Sequence, residues 1–282
     1  MPFAHYFIED DEIVLPYLNE DISVGDEIII SNEVTDLSFR QDWYQDGYKI
    51  YEIFDENEFG SIYSGIESAV ASIIGQELNL SVSDFSLTDY HKFVHSDADH
   101  YKVVSRTRDL YSEEFNFPIL DNVGKLGGLV QTQLTDVNPN TKQKTHIIVR
   151  INRPNSFDFN PPHKDIYEAY DNHIALDGGF MNFWIPICGV TKRSSLPIVP
   201  GSHLLAESEI ERSLSGALVG GNRYRVNLIL QWGGLNQLTR ANLKQREVLC
   251  FSPHLIHGLA INQEPDQTRV ALEFRLFEDV EP

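Results

Sequence analysis

The segment PPHKD places His163 and Asp165 two positions apart, directly after Pro161 and Pro162. In an extended segment, residues two apart point to the same side, so an imidazole and a carboxylate can converge on one point. Together they supply two of the three protein ligands of a facial metal site, whose remaining positions stay open for substrates. The prolines restrict φ and remove two backbone donors, which limits movement of the segment. The pair is therefore a candidate metal site.

A second pair, His95 and Asp97 in HSDADH, has the same spacing. It lies in acid-rich sequence that we expect to be helical. On a helix, residues two apart point about 200° away from each other, so they cannot bind one metal ion. We therefore do not expect this pair to form a site.

The C-terminal part of the chain supplies a candidate third ligand and a candidate anion-binding residue. SPHLIHG ends one predicted strand, and TRVALEFRLF begins another after a turn. His257 is the natural third ligand, but His254 competes with it, because residues three apart in a strand face opposite sides and only one can face the site. Arg269 would return beside His257 on the neighbouring antiparallel strand, where its guanidinium could bind a carboxylate.

Strand alternation gives Arg269 two interpretations. One face of TRVALEFRLF carries Arg269, Ala271, Glu273 and Arg275, and the other carries Val270, Leu272, Phe274 and Leu276. A polar face exposed to solvent would give the same pattern. We favour the interpretation in which the apolar face packs under helices and the polar face lines the site, with Arg275 as the alternative anion partner.

The motifs HKD, FMNFWIPI, PIVPGSH, LIHG and TR, in this order, resemble the phytanoyl-CoA dioxygenase-like branch of the iron(II)/2-oxoglutarate-dependent oxygenases, over roughly Gly47 to Phe277. The resemblance implies a double-stranded β-helix core of the jelly-roll or cupin-like kind. It also implies that His163, Asp165 and His257, rather than His254, bind iron(II). Arg269 would bind the far carboxylate of 2-oxoglutarate.

Further residues take their expected roles from the same resemblance. VRINRP is similar to a family strand whose asparagine and arginine contact co-substrate and substrate, which implies 2-oxoglutarate binding by Asn152 and substrate binding by Arg150. A buried arginine needs a partner, so Arg150 could equally pair with an acid of the core. Trp184 could line the substrate pocket or belong to the core. We expect His203 of PGSH to be structural.

The resemblance implies hydroxylation of a small-molecule substrate, with O2 consumed and 2-oxoglutarate decarboxylated to succinate and CO2. The intact Asp165 disfavours halogenation, because halogenating relatives carry a small residue there. Two alternatives come from other classes of protein. One is a non-catalytic β-helix module that binds a ligand, and the other is a cupin-type metalloenzyme that does not use 2-oxoglutarate.

The elements that would position these residues follow from periodicity. Apolar residues recur at helical spacing from Glu58 to Ile74, which predicts an amphipathic helix covering a core. A second helical region begins near Ser86, a candidate N-cap, and continues with interruptions toward Phe117. After Gly124 the chain is rich in β signals, with VNPNTKQK as a turn and strands predicted in GGLVQTQLT, THIIVRINRP, FMNFWIPICGV, LPIVPGSH, VNLILQW, REVLCFSPHLIHG and TRVALEFRLF.

The predicted fold class is mainly β with flanking helices. We expect a single domain over residues 1–282, in which a largely helical N-terminal region, 1–120, packs on the β core, 121–282. Residues 1 to about 45 are acidic and read as irregular, with a strand in DEIIIS.

Composition narrows the possible partners. The 282 residues include 42 acidic and 22 basic ones, a formal net charge of −20, which repels phosphate backbones and acidic membranes. No apolar run approaches the roughly 20 residues of a membrane span. We therefore expect neither nucleic acid nor membrane as a partner.

The two cysteines, Cys188 and Cys250, lie within apolar segments, which is typical of buried free thiols. The N-terminus carries acids where a secretory signal would carry basic residues. These features together predict a soluble protein of the cytoplasm.

Overall fold

Two β-sheets carry the residues of interest. In a computed structural model, the chain is described over residues 2–17, 22–24, 32–115, 123–156, 158–171, 179–213, 217–219, 222–224 and 227–279. The strands are β1 Phe3–Ile8, β2 Asp11–Pro16, β3 Ile22–Val24, β4 Tyr48–Glu52, β5 Leu134–Thr135, β6 Ile148–Asn152, β7 Phe180–Cys188, β8 Pro197–Ile198, β9 Ile210–Ser213, β10 Ala217–Val219, β11 Asn222–Tyr224, β12 Leu228–Trp232, β13 Gln237–Arg240, β14 Glu247–Phe251 and β15 Arg269–Glu278. The α-helices are α1 Asn32–Thr35, α2 Glu56–Leu78, α3 Asp97–Thr107, α4 Val123–Val130 and α5 Ile166–Asp171, and 3₁₀ turns cover Leu37–Arg40, Leu87–Lys92, Ser112–Glu114, Ser202–Leu204 and Glu207–Glu209.

The first sheet is antiparallel and runs in the order β4-β14-β7-β15-β5, with β6 also paired to β15. Its central strand β7, FMNFWIPIC, is buried at every position, as expected for a strand covered on both faces. The pairing of β6 with β15 places Asn152 opposite Arg269 and Arg150 opposite Ala271. This register decides which polar side chains can meet.

The second sheet contains the two histidine ligand segments. His163 and His257 exchange two backbone hydrogen bonds of 3.0 and 3.1 Å, so their segments lie side by side and antiparallel. On one side Ile229 of β12 donates to Pro162 O, and on the other Val199, which follows β8, donates to Ile256 O. From β8 the sheet continues through β13 and β1 to β2. The fold is a double-stranded β-helix with flanking helices, which confirms the predicted fold class.

The helices cover the outer face of the first sheet. Helix α2 begins at a capping box formed by Asp55 and Glu58, and its apolar stripe is buried. The largest core cluster joins this stripe to the apolar face of β15, and its members include Ile62, Ile66, Val70, Val270, Leu272, Phe274 and Leu276. The opposite face of β15, which carries Arg269 and Glu273, therefore points between the two sheets.

The N-terminal segment differs from the prediction. The described residues of this segment include regular strands: β1 and β2 form a hairpin, and β1 pairs in parallel with β13. Strand β4 joins the first sheet through β14. Within the region 1–120 that we expected to be largely helical, the described residues before Glu56 thus lie more in strands than in helices, and the backbones of these strands pair with each other or with strands distant in sequence. The strand predicted in DEIIIS lies outside the described residues.

Two local predictions also need correction. GGLVQTQLT was expected to be a strand, but α4 occupies its first half and only Leu134–Thr135 is extended. Leu126 and Val130, four residues apart, are both buried, and a short apolar run of this kind fits a helix as well as a strand. Ser86 precedes a 3₁₀ turn and makes no side-chain capping bond, whereas Ser96 caps α3 by accepting from Asp99 N at 3.1 Å.

Cys188 and Cys250 are both buried and free, as predicted. Within the described part of the chain, no helix is long and apolar enough to cross a membrane.

Candidate metal centre

His163, Asp165 and His257 converge at one buried point between the sheets. Asp165 Oδ1 lies 3.5 Å from His163 Nε2, and Oδ2 lies 3.8 Å from His257 Nε2. One ligand atom from each residue lies within 4.8 Å of the others, and among the described residues this is the only such group of three or more potential ligands. Two imidazoles and one carboxylate suit a divalent iron-group metal with open coordination positions.

Backbone carbonyls orient both imidazoles. His163 Nδ1 donates to Pro161 O at 2.7 Å, and His257 Nδ1 donates to Leu255 O at 3.0 Å. Each of these bonds fixes the tautomer in which Nε2 is free to bind a metal. The sequence thus positions not only the ligands but also the lone pairs that face the site.

Burial and the neighbouring charges shift the pKa values of the two histidines in opposite directions. Burial, followed by the charge of His163, lowers the pKa of His257. Burial also lowers the pKa of His163, but the hydrogen bond to Asp165, the charge of Asp165 and the hydrogen bond to Pro161 O together outweigh this effect and raise the pKa. Because the ligand forms are neutral imidazole and carboxylate, binding of a divalent cation would release any proton that His163 Nε2 holds.

Gly258 lets the two ligand segments come close together. It follows His257 directly and has φ of +139°, a conformation that side chains rarely adopt. A Cβ at this position would lie 2.5 Å from Pro161 O and 3.0 Å from Pro162 Cα. The glycine is therefore required by the strand pairing that brings His163 and His257 together.

Arg269 is a buried cation at the other end of the same internal space. It is 2% exposed, its guanidinium carbon lies 5.0 Å from the Trp184 ring centre, and its Nη1 donates to Asn152 Oδ1. Arg269 Nε has no hydrogen-bond partner among the described residues. Burial lowers the pKa of Arg269 to about 9, so the group is still a cation at pH 7. A buried cation with an unused donor is suited to an anionic ligand.

One cavity connects this cation to the metal ligands. The inner cavity is lined by residues that include His163, His257, Trp184, Asn152 and Arg269. The residues present therefore fit a metal ion at one end and a carboxylate at the other. This is the arrangement that iron(II) and 2-oxoglutarate require, as the sequence resemblance implies.

A second space, the outer groove, lies on the side of Asp165. Its lining includes Arg108, Lys164, Asp165, Tyr167 and Arg275. The lining combines side chains of both charges with the aromatic rings of Tyr167 and Phe274. Such a surface is suited to a polar small molecule with hydrogen-bonding groups.

Arg150 forms part of the wall between the two spaces. Its Nε and Nη2 donate to the two carboxylate oxygens of Glu273 at 2.9 and 2.8 Å. Burial raises the pKa of Glu273, but the charge of Arg150 and its hydrogen bonds together outweigh this effect and lower the pKa to about 2. Of the two alternatives for Arg150, the structure therefore shows the ion pair with an acid of the core. Both residues line the inner cavity and the outer groove.

Arg275, the alternative anion-binding residue, is paired with two acids of the protein itself. Its Nη2 donates to Asp165 Oδ1 at 2.9 Å, and its Nη1 lies 2.7 Å from Glu168 Oε2. Burial would raise the pKa of Asp165, but the charges of Arg275 and then His257 hold it well below its usual range. Sequence reasoning missed this contact, although the alternation along β15 already placed Arg275 on the same face as Arg269.

The competing histidines lie away from the centre. His254 Nε2 is 2.9 Å from Thr35 Oγ1, and burial lowers its pKa to about 3. His203 is buried, bonds through Nε2 to the carbonyl of Tyr44 and packs so closely on Gly47 that no side chain fits there. It has the structural position expected of it.

The second His-x-Asp pair, His95 and Asp97, does not belong to a group of potential metal ligands among the described residues. His95 precedes α3, and its carbonyl accepts from Arg153 Nη1 at 3.0 Å. Asp97 begins the helix, is largely exposed, and pairs with Arg153 Nη2 at 2.6 Å.

Comparisons with known proteins extend to structure alone, since no protein-family model and no curated protein match this chain. The solved structures that are similar include the non-heme alpha ketoglutarate dependent carbocyclase SnoK from nogalamycin biosynthesis, with 12% identity, 88% of this chain and 84% of that chain covered, and a TM-score of 0.47. EctD from S. alaskensis, solved with 2-oxoglutarate and 5-hydroxyectoine, is 12% identical, and the match covers 94% of this chain and 86% of that chain with a TM-score of 0.47. AviO1 from Streptomyces viridochromogenes is 14% identical, and the match covers 84% of this chain and 92% of that chain with a TM-score of 0.44. The case for a function therefore rests on the residues of this chain.

Proposed function

We propose that this protein is an iron(II)- and 2-oxoglutarate-dependent oxygenase that hydroxylates a small molecule. The observation that carries the proposal is the inner cavity, where Arg269, a buried cation with an unpaired donor, shares one space with His163 and His257, two members of the clustered His-Asp-His triad. A metal site alone would not need the buried guanidinium. The resemblance of the sequence motifs to the phytanoyl-CoA dioxygenase-like family supports the same assignment.

The three ligands would hold iron(II) through two Nε2 atoms and one carboxylate. When bound, the metal supplies the oxidising chemistry, with O2 as oxidant and 2-oxoglutarate converted to succinate and CO2. The contribution of the protein is orientation, charge and the exclusion of water.

Arg269 would bind the carboxylate of 2-oxoglutarate that is remote from the metal. Its guanidinium lies against the Trp184 ring and is fixed by Asn152, so few conformations are lost on binding. The Trp184 Nε1 donor is buried and has no partner among the described residues, which makes it a second candidate donor to the same ligand. Asn152 then acts mainly by holding the guanidinium, and Trp184 contacts the co-substrate more directly than the substrate.

The substrate would occupy the outer groove, on the far side of the Arg150–Glu273 pair from Arg269. The mixture of charges there is suited to a polar molecule of modest size. A polyphosphate-bearing thioester would require a basic cluster. The groove is poorly suited to such a substrate, because the cations Arg150, Lys164 and Arg275 are each paired with an acid.

Binding measurements under anaerobic conditions test this proposal. Manganese(II), which does not turn over, replaces iron, and calorimetry measures the affinity for 2-oxoglutarate and for 2-oxobutanoate, which lacks the remote carboxylate. We expect 2-oxoglutarate to bind the metal-loaded protein more tightly. Arg269→Lys should weaken the binding of 2-oxoglutarate much more than the binding of 2-oxobutanoate.

Arg240→Lys is the matched control, because Arg240 is also buried but donates to Ser195 O and Ile261 O outside the inner cavity. Metal binding with equal, weak affinity for both acids would favour a cupin-type metalloenzyme. Failure to bind a metal at all would favour a ligand-binding module.

A further inference from the structure

One guanidinium joins the candidate metal carboxylate to the helix that follows it. Arg275 donates from Nη2 to Asp165 Oδ1 at 2.9 Å, and its Nη1 lies 2.7 Å from Glu168 Oε2. The Asp165 side chain is 4% exposed and the Arg275 side chain 29% exposed. The significance of this contact rests on the proposed metal site.

The planar fork of arginine explains why a single side chain can hold both acids. Its two terminal nitrogens point in fixed directions, whereas a lysine ammonium is a single point charge. Glu168 lies three residues after Asp165 at the start of α5. Arg275 is therefore held from two sides, and its bond to Asp165 Oδ1 is fixed in direction.

This bond uses one of the two oxygens that Asp165 could offer to a metal. Carboxylates bind metal ions through one oxygen or through both. Oδ2, which lies 3.8 Å from His257 Nε2, takes no part in the bond to Arg275. Without the guanidinium, the carboxylate could rotate and chelate with both oxygens.

The number of open positions depends on this choice. An octahedral metal with three protein ligand atoms keeps about three open coordination positions. If Asp165 bound through both oxygens, about two positions would remain open. The proposed reaction needs two positions for 2-oxoglutarate and one for O2. A chelating carboxylate would thus compete with a reactant for the metal.

We propose that Arg275 is a positioning residue that restricts Asp165 to one oxygen on the metal and so keeps a coordination position open. It acts through Asp165 and contacts neither the metal nor the co-substrate. No feature of the HxD motif itself specifies this restriction.

Manganese(II) alone is the probe, and the number of water molecules bound to it, measured by the relaxation of water protons, is the readout. The wild type should keep about three waters on the metal, and Arg275→Met should keep about two. Arg275→Lys retains one donor for Oδ1 and should restore about three. Glu168→Gln, which leaves the Arg275–Asp165 bond in place, should match the wild type.

A water count in Arg275→Met equal to that of the wild type would overturn the inference and leave the proposed function intact. Circular dichroism checks the fold of each variant, and Arg275→Gln serves if the methionine variant does not fold. If the folded wild type binds no manganese(II), both the inference and the proposed metal site fail.

Discussion

Replacing Arg269 with methionine is expected to stabilise the ligand-free protein while removing its response to 2-oxoglutarate. The wild-type side chain is buried as a cation, its Nε has no partner among the described residues, and one bond joins it to Asn152. Methionine fills a similar space without a charge. The variant therefore separates the cost of burying this cation from its function in binding an anion.

The magnitude follows from the pKa of Arg269, which burial lowers from 12.5 to about 9. This difference corresponds to about 5 kcal/mol, at about 1.4 kcal/mol for each pH unit. A base whose pKa is lower in the folded state destabilises the fold at every pH below that value, so the full cost applies at pH 7 and fades above pH 9. Leaving Asn152 Oδ1 unpaired costs about 1–3 kcal/mol in the variant. The net gain is about 2–4 kcal/mol.

Calorimetric melts at pH 7, without metal or co-substrate, measure this gain. At about 2–4 °C for each kcal/mol, the variant should melt roughly 5 °C or more above the wild type. With manganese(II) and 2-oxoglutarate at 100 times its Kd, the wild type should gain about 2.7 kcal/mol from the co-substrate, and the variant should gain none.

Arg240→Met provides the control, because Arg240 is buried with acceptors at Ser195 O, Ile261 O and Gln263 Oε1. Removing it leaves carbonyls without donors, so no gain in stability is expected. An Arg269→Met protein that melts below the wild type, or that is still stabilised by 2-oxoglutarate, would refute the assignment of Arg269 to an anion site.

Three further predictions concern other parts of the molecule. His257→Ala should abolish stoichiometric manganese(II) binding in a paramagnetic-resonance titration, while His254→Ala should bind as the wild type does; the reverse pattern would exchange the two assignments. Because burial raises the pKa of Asp36 to about 6, the wild type should lose about 3 kcal/mol of stability as the pH rises from about 4 through 6. Asp36→Asn should flatten that dependence in melts over this range, and an unchanged slope would exclude Asp36 as its source. Gly258→Ala should lower the free energy of unfolding, measured in urea, by more than about 1 kcal/mol and should also weaken metal binding. Gly60→Ala, where a Cβ meets no atom within 4 Å, should instead raise the free energy of unfolding by about 0.5–1 kcal/mol. Equal effects of the two glycine substitutions would show that close packing at Gly258 is unimportant.

The parts of the site that sequence could predict are those carried by local spacing. The two-residue spacing of His163 and Asp165 and the alternation along β15 each depend on a few neighbouring residues. The structure gathers His163, Asp165 and His257 around one point, and Arg269 lines the inner cavity together with the two histidines.

The parts that sequence left open depend on register between distant strands. Arg150 meets Glu273 because β6 pairs with β15, and a shift of one residue would have turned its side chain away. Arg275 meets Asp165 across 110 positions of sequence. No local pattern specifies either contact.

The same limit explains the errors in the fold. Strand β1 alternates buried and exposed residues, yet its parallel partner β13 follows it by more than 200 positions. The acidic composition of the segment concealed this alternation. In α4, two buried residues four apart determine a helix that short-range pattern could not distinguish from a strand.

The central claim is that one cavity binds iron(II) and 2-oxoglutarate together, with Arg269 as the remote anchor. The most direct measurement is an anaerobic titration of 2-oxoglutarate into the iron(II)-loaded protein, monitored through the visible charge-transfer absorption of the chelate. The account predicts a band that saturates in the wild type and in Arg240→Lys, and that requires much more 2-oxoglutarate in Arg269→Lys. Iron bound in stoichiometric amount with no band at any concentration of 2-oxoglutarate would contradict the account.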